Sequence, residues 1–272
     1  MNRAAIGAAA FCGLLVLAAR AGAEIMTQTI EYKQGGVTLK GYLAYDPQSR
    51  AFAAGAKRPG VLVAPEWWGL NDYAKRRARE LAGLGYVAFA LDPFGDGATA
   101  TTPQKAMSLV SPLRSDRNLM RARARAALET LADQKMVDPK RLAAIGYCFG
   151  GSVVLELARG GADLVGVVCF HGTLDTPNPE DARNIKGSIL VCNGADDSMV
   201  AGQIAGFESE MRAAHVDYVL INYGGAVHAF TNPDAGKAAM PGVAYNARAD
   251  RRSWQAMKQF LREVFGQPAM DP

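Results

Sequence analysis

The stretch "AAIGYCFGGSVV", residues 143–154, decides the fold. A short apolar run ends at Cys148, and a second apolar run begins after paired glycines. The spacing Gly146-Tyr147-Cys148-Phe149-Gly150 is that of a nucleophile elbow, with cysteine in the place of serine. A strand turning sharply into a helix leaves its central residue strained and raised. Glycines two before and two after remove the Cβ atoms that would clash in such a turn. A helix starting beneath the sulfur favours thiolate, the nucleophilic form. The competing reading is a small buried core cysteine, since free cysteine is among the most buried residue types.

Outward from this stretch, strand-like and helix-like segments alternate. "VTLKGYLAY" (37–45) alternates as an antiparallel strand does. "GVLVAPEWWG" (60–69), "YVAFALDPFG" (86–95), "LAAIGYC" (142–148), "LVGVVCFHG" (164–172), "SILVCNGADD" (188–197) and "VDYVLINYGG" (216–225) are further strand segments, several of them near-continuous apolar runs. Such runs mark strands covered on both faces. Helical spacing appears over 71–84, over a long region 103–134, after Phe149 to Arg159, over 202–214 and over 246–265. Residues 45–60 read as a surface loop. The alternation predicts an α/β fold with a mainly parallel sheet flanked by helices, in one domain over 24–272.

Chemistry in such sheets gathers at the carboxyl ends of the strands. The residues ending each run are Glu66, Asp92, Cys148, His171, Asp197 and His228. A cysteine nucleophile needs a base, and the base an orienting group. Only three histidines exist. His215 follows a helix and reads as a surface or capping residue. His171 ends a strand and is the lesser candidate. The order nucleophile, acid, histidine on this fold favours His228. Asp197, with Asp196 as the adjacent alternative, is the acid that would fix the imidazole tautomer and stabilise the imidazolium. The backbone N–H groups of Phe149 and Trp67 are the expected oxyanion hole.

The 272 residues are 49% hydrophobic, enough for one large core, and the 30 basic against 26 acidic side chains give no strong field for nucleic acid or membranes. The first residues read separately. "MNRAAIGAAAFCGLLVLAARAGA" (1–23) has an early Arg3, an apolar stretch from about Ala4 to Ala19, and Ala21-Gly22-Ala23 before a cleavage point. It reads as a secretory signal peptide. The alternative, an uncleaved anchor, is disfavoured because the run is shorter than the roughly 20 residues a spanning helix needs. The expectation is an exported protein, periplasmic or secreted, with no stable membrane insertion after cleavage near Ala23. Removing Cys12 leaves Cys148, Cys169 and Cys192, an odd number that suggests a free thiol. Cys169 and Cys192 sit in apolar strand runs and read as buried core residues, with a bridge between them the minor alternative.

Together, "PEWWGLN" (65–71), "GYCFGG" (146–151), "GADDSMV" (194–200) and "HAF" (228–230) resemble the dienelactone hydrolase family, a cysteine branch of the three-layer α/β-hydrolase fold. The resemblance covers nearly all of the chain after residue 23. It implies Cys148 as nucleophile with Asp197 and His228, no metal and no organic cofactor, and a small-molecule ester or lactone substrate. It also implies that Glu66 interacts with the cysteine and takes its proton as substrate binds; the plainer reading of Glu66 is a polar strand cap. Members that open dienelactones hold the substrate carboxylate with two arginines. Simple register places Asp96 and Asn232 there instead, and Asp96 would repel a carboxylate. Arg114 or Arg117 could reach in from the following segment. A different substrate is therefore expected, in an aromatic pocket formed by Trp67, Trp68, Phe94, Phe149 and Phe230. Two other readings stand beside hydrolysis. A non-catalytic small-molecule-binding protein on a hydrolase scaffold predicts a missing or displaced triad member. A redox role for Cys148 lacks a C-x-x-C partner.

Overall fold

A computed structural model describes residues 24–49 and 55–267. The expected signal peptide, residues 50–54 of the 45–60 loop and the last five residues lie outside it. The described residues form an eight-stranded sheet: β1 (Met26–Gln34), β2 (Val37–Tyr45), β3 (Arg58–Ala64), β4 (Val87–Ala90), β5 (Val137–Tyr147), β6 (Gly166–Phe170), β7 (Ser188–Gly194) and β8 (Tyr218–Tyr223). Their spatial order is β1-β2-β4-β3-β5-β6-β7-β8. β2 pairs antiparallel with β1 and with β4, and from β4 across to β8 every pairing is parallel.

The central strands are apolar over the lengths where both faces are covered. In β3, Val61 and Val63 face α1 (Asp72–Gly83) and α6 (Ala247–Val264), while Leu62 and Ala64 face the opposite layer. That layer holds α3 (Arg117–Ala132), α4 (Phe149–Arg159) and α5 (Ile204–Ala213), with α2 (Pro103–Ser115) beside α3. Three layers follow directly: helices, sheet, helices. The long helical region is two helices, not one. Asp116 adopts an extended conformation between them and caps α3, its side chain accepting from the Leu119 N–H. An N-cap of this kind is worth about 1 kcal/mol.

β1 is an element the sequence reading lacks. It pairs with β2 across Gly35-Gly36, with Gly35 at φ 58. A Gly-Gly pair between alternating runs is a hairpin signal. β3 also begins at Arg58, inside the stretch read as loop. No helix among the described residues is long and apolar enough to cross a membrane.

Candidate active site

Four loops at the carboxyl ends of β3, β5, β7 and β8 meet around Cys148. The elbow comes first. Cys148 has φ 52 and ψ −117, a conformation that L side chains rarely adopt, at a cost on the order of 1–3 kcal/mol that the surroundings must hold in place. The flanking glycines make the turn possible. A Cβ on Gly146 would lie 2.0 Å from the Gly150 carbonyl oxygen, and one on Gly150 would lie 2.1 Å from that of Ala64. The missing Cβ at Gly150 thus lets the first turn of α4 press against the end of β3, whose next residues are Pro65, Glu66 and Trp67.

His228 Nε2 lies 3.1 Å from Cys148 Sγ, and its Nδ1 lies 2.8 Å from Asp197 Oδ2. The other Asp197 oxygen accepts from the Met199 N–H, so the carboxylate is fixed at both ends. Asp197 is buried while Asp196 is exposed, and Asp197 is the one that meets His228. Burial pulls the His228 pKa down, but the Cys148 charge and the hydrogen bonds that the ring donates to Asp197 and Cys148 outweigh it and push it up to about 10. An imidazolium facing the sulfur is the favoured partner of a thiolate.

Glu66 is 3% exposed and lines the same cavity as Cys148. Burial raises its pKa to about 7, against a hydrogen bond from Asn232 that lowers it. That bond, Asn232 Nδ2 to Glu66 Oε2, is 2.6 Å long. Asn232 is therefore a pocket residue, as its register suggests. Asp96 is not: it is exposed, sits at φ 51, and is absent from the cavity wall. The charge repulsion expected from it does not act there. Asp92, also expected on the rim, instead accepts from the N–H groups of Lys40, Phe94, Gly95 and Gly97 and staples the loop after β4.

The cavity over Cys148 measures about 510 Å³, walled by Glu66, Trp67, Trp68, His228, Asn232 and the segment around Met240. Three expected pocket aromatics lie elsewhere. Phe230 is fully buried and packs edge-on against His171 and at a tilt against Tyr223. Phe94 stacks on Phe149 at 6.2 Å, and Phe149 is itself buried beneath the elbow. Neither Arg114 nor Arg117 reaches the cavity: Arg114 lies over the Phe149 ring and Arg117 pairs with Asp175. A larger groove of about 800 Å³ opens at the amino ends of the strands, between Lys186 and exposed His215, remote from Cys148. Cys169 and Cys192 are free, buried thiols whose pKa values burial pushes up to about 12. No group of three or more His, Cys, Asp or Glu among the described residues is placed to hold a metal.

The family profile described as "Dienelactone hydrolase family" matches residues 40–265. The chain belongs to the dienelactone hydrolase family. A structure called m3DLH is 45% identical with a TM-score of 0.84, over 89% of this chain and 99% of that one. A dienelactone hydrolase-like promiscuous phosphotriesterase from metagenomic libraries is 41% identical with a TM-score of 0.83, over 88% and 98%. Protein usf of Aquifex pyrophilus is 30% identical over 76% of this chain and 88% of its own. Membership makes the chain a hydrolase, and its sheet is the α/β-hydrolase sheet.

Two features of this dienelactone hydrolase relative escaped the sequence reading. One is the 232–245 segment as a cavity wall, pinned where His228 bridges to Val243. The other is His171. It sits behind the elbow rather than on the rim, with its ring against the Cys148 backbone. Its position just past a strand end was legible; the direction of its ring was not.

Proposed function

We propose that this protein hydrolyses carboxylic esters or lactones that are uncharged near the scissile bond, through Cys148, His228 and Asp197. The carrying observation is the unbroken line from Cys148 Sγ through His228 to Asp197 at a strained elbow. The Cys148 sulfur attacks the carbonyl carbon, and the oxyanion rests on the backbone N–H groups of Phe149 and Trp67. Collapse of the tetrahedral intermediate breaks the ester C–O bond, and His228 gives its proton to the leaving oxygen. Water then loses a proton to His228 and attacks the thioester, releasing the acid and restoring the sulfur. Asp197 holds the imidazole throughout. Glu66, in the same cavity and poised near neutrality, is the acceptor for the Cys148 thiol proton, leaving the sulfur as the thiolate that faces the His228 imidazolium; the family resemblance also points to Glu66 as the acceptor.

The wall supports the substrate charge. It carries Glu66, Asp72 and Asp234 and no arginine; its one lysine, Lys237, is paired with Asp234, and the His228 ring with Asp197. Among the described residues, a substrate carboxylate would find on that wall no cation without a carboxylate partner. An uncharged phosphotriester meets the same requirement, and the metagenomic relative bears that description. The N-terminal segment adds a proposal of export, checked by finding the chain cleaved near Ala23 in the extracytoplasmic fraction.

The mechanism is tested with Cys148→Ala on a panel of short p-nitrophenyl esters, lactones including dienelactone, and a neutral phosphotriester. Loss of all hydrolysis is expected. Undiminished ester turnover in the variant would sink the triad. A marked dienelactone preference in the unmodified protein would overturn the charge argument.

A further inference from the structure

Behind the nucleophile lies a buried polar relay that the triad does not use. Cys148 N–H points to His171 Nδ1 at 3.1 Å and to the Phe170 carbonyl at 3.0 Å. A backbone N–H can only donate, so Nδ1 must be the bare, accepting nitrogen. The neutral ring then carries its proton on Nε2, which lies 2.7 Å from Thr231 Oγ1 and donates to it. Thr231 Oγ1 is in turn 2.7 Å from the Tyr73 hydroxyl. Arg77 closes the relay: its Nε donates to Tyr73 and its Nη2 to the Thr231 carbonyl, while Asp250 on α6 holds the guanidinium. The relay ties α1, α6 and the segment after His228 to one backbone N–H of the elbow.

Three observations say that this is more than filler. His171 is itself at φ 40, so two adjacent strand ends carry left-handed residues that meet through this bond. The His171 ring packs edge-on against the His228 ring at 5.5 Å. A second positive charge there would oppose the His228 imidazolium, and burial with the nearby charges of His228 and Arg77 holds His171 well below its ordinary range. Finally, Thr231 is nearly fully buried, so its hydroxyl has no water to turn to.

We infer that His171 is a positioning residue for the nucleophile: a neutral imidazole, anchored on Thr231, that accepts the Cys148 backbone N–H and so fixes the strained elbow in the conformation that aims Sγ at His228. This rests on Cys148 being the nucleophile. His171 is not among the residues of the cavity wall, and its hydrogen bond is to the Cys148 backbone, through which it acts.

The test measures two things in the full-length protein: kcat and KM on a p-nitrophenyl ester, and the rate at which iodoacetamide alkylates Cys148. His171→Leu removes the acceptor. Misaiming a reacting atom by about 1 Å costs on the order of 10²-fold, so we expect kcat and alkylation to fall roughly 10- to 100-fold together, with KM changing less than about threefold. His171→Asn, whose Oδ1 can replace Nδ1, should recover part of the loss. Thr231→Val should fall in the same direction, and Thr231→Ser, which keeps the hydroxyl, should restore most of it. A folded His171→Leu protein within twofold of the unmodified enzyme in both readouts overturns the inference. So does Thr231→Ser as impaired as Thr231→Val, and that pair decides alone if His171→Leu does not fold. Alkylation needs no ester, so a chain that alkylates as expected yet hydrolyses nothing would sink the ester reading and leave this one standing.

Discussion

Glu66 should make the protein less stable as pH rises, and Glu66→Gln should remove that loss. The carboxyl has an ordinary pKa of 4.5 and about 7 in the folded protein, because burial disfavours its charged form more than Asn232 and His228 favour it. The folded state therefore binds the proton more tightly than the unfolded state. Its contribution is fully present below pH 4.5, is lost between there and about 7, and stays lost above. At about 1.4 kcal/mol for each pH unit, that interval is worth roughly 3 kcal/mol. The glutamine side chain of the variant keeps the shape and the Asn232 contact but cannot ionise. The assay is urea denaturation of both proteins from pH 4.5 to pH 8.5, taking the difference in unfolding free energy so that every other titration cancels. The difference should move by about 3 kcal/mol in favour of the variant across this range, while its esterase activity falls. A difference flat to within about 1 kcal/mol would refute the raised carboxyl and, with it, the account of Glu66 as a proton acceptor poised near neutrality.

Two further outcomes are expected. By NMR, the His228 ring should stay protonated through neutral pH up to about 10; in Cys148→Ala it should titrate lower, since burial then acts without the sulfur's opposing charge. Identical titration in the two proteins would mean that the sulfur carries no charge beside it. In the buried cluster under α4, Arg159 donates to both oxygens of Glu210, to Glu156 and to the Leu174 carbonyl. Arg159→Met leaves Glu210 buried without its cation and should cost about 3–5 kcal/mol by chemical denaturation, whereas replacing the cluster by apolar residues together should cost far less.

The sheet was legible because its chemistry is local. A two-face-covered strand needs an apolar run, and β3, β5, β6 and β7 have one; an elbow needs glycines, and Gly146 and Gly150 stand where a Cβ would meet backbone. His228, Asp197 and Cys148 were legible because each lies in the segment after the carboxyl end of a strand, and the fold fixes their order. What escaped depends on where side chains turn after a strand stops. Phe230 follows His228 by two residues yet turns inward onto His171, and Phe94 turns onto Phe149. Nothing in their spacing separates a pocket wall from a core contact. β1 escaped because it is an edge strand with mostly exposed side chains, so it lacks the apolar run that marks its neighbours. The break at Asp116 was readable as a cap, but amphipathic spacing on both sides hid it.

Asn232 connects the substrate argument to the mechanism. By the resemblance, an arginine stands at this position in members that open dienelactones. Here the side chain spends its N–H on Glu66 instead. A guanidinium at that distance from a buried carboxyl would hold it ionised well below neutrality. An amide lowers the pKa only part of the way, and the carboxyl stays near 7. One change of side chain thus does two things. It removes the cation that a carboxylate substrate would need, and it leaves Glu66 close to balance between its protonated and ionised forms at neutral pH. The neutral substrate proposed here would bring no charge to tip that balance. Asn232→Arg separates the two effects. It should drive the Glu66 pKa down, abolish the stability slope between pH 4.5 and 7, and raise turnover of carboxylate-bearing lactones relative to neutral esters. If the slope vanishes but the substrate preference does not move, the cavity's selectivity lies in its shape around Trp67 and Trp68 and not in its charge.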